Sequence, residues 1–162
     1  MRHLVRAIAL ITLSLGLSSA ASAQNHRACT TKGMAGDWGY TKTGTLYTPA
    51  GATPFATMGI LTFDHSGTLT GVNTGSVGGQ ISNDVLTGSI EMNSDCTGTM
   101  TVEVRDQAGT LLRTIQAALV VDENRTHLRG LVTSLVLPNG VSLKSVITAE
   151  AKRVFEGRLQ ED

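Results

Sequence analysis

Between Gly36 and Arg153 apolar and polar residues alternate along short Thr- and Gly-rich runs. Each run is closed by a turn signal, such as Asp64, His65, Ser66 and Gly67 or Leu137, Pro138, Asn139 and Gly140. A period of two puts successive side chains on opposite faces of a strand, and almost no stretch keeps helical spacing. The pattern predicts strands near residues 38–48, 55–63, 67–81, 85–92, 98–106, 110–121, 127–135 and 141–154. The intervening breaks carry turn chemistry: Pro49, Ala50, Gly51 and Pro54 in the first, Asn83 and Asp84 in the third, 106–109 in the fifth, and Pro138 to Gly140 in the seventh. Gly and Asn accept positive φ, and Pro cannot continue a ladder. Strands joined in sequence by short turns close on themselves, so the expected fold is all-β, a single eight-stranded antiparallel up-and-down β-barrel.

Alternation also assigns faces. Met100, Val102 and Val104 share one side of the fifth strand, opposite Thr99, Thr101, Glu103 and Arg105. Leu111, Ile115, Ala117, Leu119 and Val121 form the apolar face of the sixth, and Arg113 falls on it. In the eighth, Val141, Leu143, Ile147, Ala149, Ala151 and Arg153 lie together. In the first, Trp38, Tyr40, Lys42, Gly44 and Leu46 oppose a stripe of Thr41, Thr43 and Thr45. The second strand offers Met58 and Ile60 or Leu61 and Phe63 to the interior, and Leu61 and Phe63 are the expected choice.

Ahead of the strands, Arg2, His3 and Arg6 precede an apolar stretch from Leu4 to Leu17, and Ala21, Ser22 and Ala23 form a small-x-small site. Residues 1–23 therefore read as a secretory signal peptide, leaving residues 24–162 as a single β-barrel domain in a periplasm or outside the cell. No later segment is apolar enough for an integral membrane span, so the expected product is soluble. Cleavage leaves about 11 basic and 13 acidic residues scattered singly. Without a basic run to follow phosphates, nucleic acid is not an expected partner. Few aromatics are available, so the interior must be filled by aliphatic residues or left partly open.

Two cysteines in an exported chain point to a disulfide. Up-and-down order brings Cys96, in the turn after the fourth strand, to the rim where the first strand begins, and Cys29 lies just ahead of that strand. Cys29 and Cys96 are the expected pair.

Gly36, Asp37 and Trp38 at the entry to the first strand, followed by the eight-strand meander, resemble the lipocalin and wider calycin pattern, in which G-x-W opens the first strand. That resemblance implies that an arginine late in the last strand packs over the tryptophan, and Arg153 matches the position. A second resemblance spans nearly all of the mature chain. Gly36 to Tyr40, Gly59 to Asp64, Leu86 to Gly88 and Asp95 to Thr99 are similar to a group of secreted bacterial β-proteins that carries a fold and no assigned activity.

His26, His65 and His127 form no motif with metal-ligand spacing, so neither a metal nor a cofactor is expected. No nucleophile elbow, phosphate loop or dinucleotide fingerprint is present. Glu91 and Glu103 fall on outer faces. The constellation that stands out is Tyr40, Lys42 and Arg113 on inward faces, because a buried cation is costly unless paired, hydrated or used. It points to a small apolar or amphiphilic molecule, with an anionic or carbonyl group, held in the barrel mouth at the end of the four short connections. Two other functions fit the same chain: a cyclase or isomerase in which Tyr40 or Lys42 polarises a substrate, and a filled structural or surface-interaction barrel.

Overall fold

The computed structural model describes residues 28–122 and 125–154. The proposed signal peptide lies outside them. A short 3-10 helix over Thr31–Met34 is followed by β1 (Gly36–Thr48), β2 (Gly51–Phe63), β3 (Thr68–Val77), β4 (Gln80–Met92), β5 (Thr97–Arg105), β6 (Leu111–Val121), β7 (His127–Val136) and β8 (Lys144–Arg153). Each strand pairs antiparallel with its sequence neighbours and β8 returns to β1, giving a closed barrel in the order β1 to β8.

Three expectations change. Pro54 does not break the first connection: β2 begins at Gly51, and Pro54 pairs with Thr45 within it, using its carbonyl to accept from the Gly78 N–H. The third connection is at Gly78 and Gly79, not at Asn83 and Asp84. Gly78 and Gly79 both have positive φ, 57° and 88°, which suits a two-residue hairpin turn whose twist matches its strands. Asn83 and Asp84 instead continue β4, paired with Thr74 and Asn73 of β3. The last strand also starts later than its alternation suggests: Val141 is exposed in the connection, and Leu143 is only partly buried. A hydrogen bond from the Leu143 N–H to the Leu135 carbonyl ties that connection down.

Inward positions of all eight strands form one core. Leu61 and Phe63 face inward, whereas Met58 is 64% and Ile60 48% exposed. The half of the barrel nearest the β1 entry is packed with large apolar side chains, among them Trp38, Leu69 and Ile90. The Cys29–Cys96 disulfide pins the N-terminal segment to the β4–β5 turn at this end. Met34, the last residue of the 3-10 helix, is buried, and its carbonyl accepts a 2.9 Å hydrogen bond from the Trp38 indole N–H. This proximal end is therefore closed by the chain's own N-terminal segment.

Two inward glycines stand where neighbouring strands approach closely. At Gly59 a β-carbon would sit 2.1 Å from the Val72 carbonyl oxygen, and at Gly44 2.0 Å from that of Val146. Only glycine lets neighbouring backbones approach so closely. Gly44 and Gly59 also remove side chains from the interior beside Tyr40 and Lys42.

One backbone ladder is interrupted. β7 and β8 pair from His127 with Lys152 to Leu131 with Thr148, and meet again at an isolated bridge between Val136 and Ser142. The last pair before the lapse, Leu131 with Thr148, lies one residue beyond the level of Lys42, whose β8 partner is Ala149.

Candidate functional site

The distal half of the interior differs in kind from the proximal half. β1 contributes Tyr40 and Lys42, β2 Thr57, β3 Asn73, β4 Asp84 and β6 Arg113. Alternation explains the first four, each in step with apolar inward neighbours: Tyr40 and Lys42 with Trp38 and Leu46, Thr57 with Phe55, and Asn73 with Leu69. Asp84 keeps step with Leu86 and Ile90. Arg113 sits beside a register shift, because β5 pairs Arg105 with Leu111 and Val104 with Arg113, leaving Leu112 extra. Arg113 nevertheless points inward, in step with Ile115.

These six side chains form a connected cluster. The Asn73 amide donates to the Tyr40 hydroxyl at 3.0 Å. The Arg113 guanidinium donates to one carboxylate oxygen of Asp84 at 2.8 Å. Asp84 is only 1% exposed, so this is a buried ion pair. Sequence reasoning placed Asp84 in a turn and left Arg113 without a partner; the structure pairs them. The signal that could have found Asp84 was the two-glycine turn at Gly78 and Gly79, which moves Asp84 into the strand.

Lys42 is the odd member. It is 8% exposed, and its ammonium lies 5.5 Å from the Tyr40 ring centroid and 5.9 Å from that of Phe55. Ring faces attract a cation. Among the described residues its Nζ has no hydrogen-bond acceptor and no ion-pair partner. Burial, with the Arg113 charge adding to it, lowers the Lys42 amine to about 8, against a smaller opposing pull from Asp84. Burial likewise holds the Tyr40 hydroxyl above its ordinary range, so it stays protonated at neutral pH.

The cluster also holds unused hydrogen-bonding capacity. Thr57 Oγ1, Asn73 Oδ1, Asp84 Oδ1 and Arg113 Nε are buried and make no hydrogen bond of ordinary geometry among the described residues, although Thr57 lies beside the Tyr40 hydroxyl. Buried polar atoms are rarely left so, and four in one cluster mark a place where other polar atoms belong. With two cations and one carboxylate, the cluster carries a net positive charge that favours an electron-rich guest.

Trp38 and Arg153 sit at the opposite end. The Arg153 guanidinium lies 4.7 Å from the Trp38 ring centroid and donates to the carbonyls of Ala35 and Gly33. Together with the disulfide these residues close the proximal end, and they take no part in the distal cluster. Among the described residues no three His, Cys, Asp or Glu side chains gather as a metal site. No helix among them is long and apolar enough to cross a membrane, and the disulfide fits an oxidising compartment. No family model matches the chain, and no curated protein matches it.

Proposed function

We propose that this is an exported, lipocalin-like binding barrel, secreted or periplasmic, which holds a small amphiphile in its distal half. The electron-rich head of the ligand, a carboxylate or carbonyl oxygen, accepts hydrogen bonds from Lys42 and Arg113 Nε. Its apolar part lies toward Phe55 and Leu46, which face inward nearer the mouth than Lys42. The observation that carries this reading is Lys42: a buried residue whose ammonium has two ring faces and no acceptor among the described residues, next to unpartnered buried atoms of Asn73, Asp84 and Arg113. A cluster maintained only for packing gains nothing from such a group, because an apolar residue of the same length would cost less.

The reading of a filled structural barrel finds support in the proximal half, where Trp38, Leu69 and Ile90 are fully buried. It does not account for the polar distal half.

Calorimetric titration of the purified protein with carboxylates from hexanoate to dodecanoate tests the proposal. Saturable one-to-one binding is expected, weakened at least tenfold by Lys42→Met with the melting temperature unchanged or higher. Equal binding by parent and variant, or no saturable binding across the series, would overturn it.

A further inference from the structure

We infer that the Lys42 amine condenses reversibly with the carbonyl carbon of an aldehyde or ketone held in the distal half of the barrel, an inference that rests on the interior being a ligand site. An amine that forms an imine needs a neutral fraction, shelter from bulk water and a nearby counter-charge for the protonated product. Lys42 has all three. Its nitrogen has no acceptor among the described residues, the residue is only 8% exposed, and the rings of Tyr40 and Phe55 lie 5.5 and 5.9 Å from it. Asp84 is close enough for its charge to act on the amine, and its Oδ1 has no partner.

Burial and the Arg113 cation together set the protonation state. With the amine lowered to about 8, the neutral share at pH 7 is roughly 300 times that of an ordinary lysine. The other lysines of the chain, Lys32, Lys144 and Lys152, are exposed on the surface.

The step is balanced without any oxidant or reductant. The nitrogen lone pair adds to the carbonyl carbon, both amine protons pass to the oxygen, and the oxygen departs as water while a C=N bond remains. Tyr40 is placed to donate to the carbonyl oxygen, because its hydroxyl already accepts from Asn73 and keeps its own proton. Thr57, whose hydroxyl lies beside that of Tyr40, offers a second proton carrier.

Reductive trapping tests this in the unmodified protein. Octanal and cyanoborohydride are added at pH 7, and alkylated sites are mapped by proteolysis and mass spectrometry. Mapping separates Lys42 from the α-amine, whose ordinary pKa also lies near 8. Lys42 is expected to be alkylated at least tenfold faster than Lys32, Lys144 or Lys152 in the same molecules, and Lys42→Met should remove the fast adduct while leaving the other three unchanged. Labelling of Lys42 no faster than that of the exposed lysines would overturn the inference. Octanoate has no comparably electrophilic carbon and separates the two readings. Octanoate binding without fast trapping would leave the ligand site and remove the covalent anchor; failure of both would remove both.

Discussion

Asp84 of β4 and Arg113 of β6 form an ion pair 2.8 Å long across the barrel interior, linking two strands that are not neighbours in the sheet. The carboxylate is 1% and the guanidinium side chain 16% exposed. Removing either charge strands the other in a low-dielectric interior. Asp84→Leu and Arg113→Met are each expected to destabilise by about 3 kcal/mol, while the double variant recovers most of that loss. Denaturant midpoints of the four proteins measure the coupling. Additive losses would show that the pair is hydrated and contributes little.

Arg153 closes the proximal end by stacking on Trp38 and donating to two carbonyls of the N-terminal segment. Arg153→Ala should therefore cost about 2 kcal/mol through lost stacking and hydrogen bonds. Lysine keeps the charge but lacks the planar fork, so Arg153→Lys should recover less than half. Trp38 fluorescence reports the change directly, since water reaching the indole shifts its emission to the red. Unchanged emission and stability in the alanine variant would mean that the stacking is incidental.

The disulfide closes a loop of 67 residues, which in the chain-entropy argument stabilises by about 4 kcal/mol. Joint replacement, Cys29→Ser with Cys96→Ser, should lower the melting temperature strongly without changing the strand signature in far-UV circular dichroism. Because the bond lies at the proximal end, carboxylate affinity measured well below the new melting temperature should change less than twofold. A collapse of affinity with the fold intact would show that the two ends of the barrel are coupled.

The barrel was legible because alternation and turn chemistry agree along nearly the whole chain. In the second strand Met58 and Ile60 compete with Leu61 and Phe63 in the pattern alone, and the favoured pair, Leu61 and Phe63, is the inward one; the shared rim of Cys29 and Cys96 followed from strand order. Tyr40, Lys42 and Arg113 were legible as inward residues for the same reason, as polar side chains in step with apolar ones. Asp84 was not. An Asn-Asp pair has the composition of a turn, and only the backbone freedom of Gly78 and Gly79 moves the turn away from it. Thr57 and Asn73 were hidden by composition too, since small polar residues in a Thr-rich strand read equally well on either face. The register shift opposite Leu112 leaves no mark in a pattern of three successive apolar or long side chains. The lapse between β7 and β8 arises from pairing partners and so lies beyond any single-strand pattern.

Lys42 makes the sharpest prediction because its cost depends on pH. In the unfolded chain the amine holds its proton up to about 10.5, whereas in the folded barrel it releases it at about 8. Below pH 8 both states are protonated, and the fold bears the full cost of burying the charge. Between pH 8 and 10 the unfolded state binds more protons than the folded state, so raising the pH favours folding. Lys42→Met removes that cost and should be more stable than the parent at pH 7 by about 2 kcal/mol. Tyr40, Asp84 and Arg113, the other titratable or charged groups of the cluster, are present in both proteins, so the difference between them isolates Lys42. The gap should narrow steadily as the pH is raised from 8 to 9.5 in urea titrations. A gap that is constant with pH, or a variant less stable than the parent at pH 7, would mean that the ammonium is well solvated in the folded barrel, and the electrostatic basis for a ligand at this position would be gone.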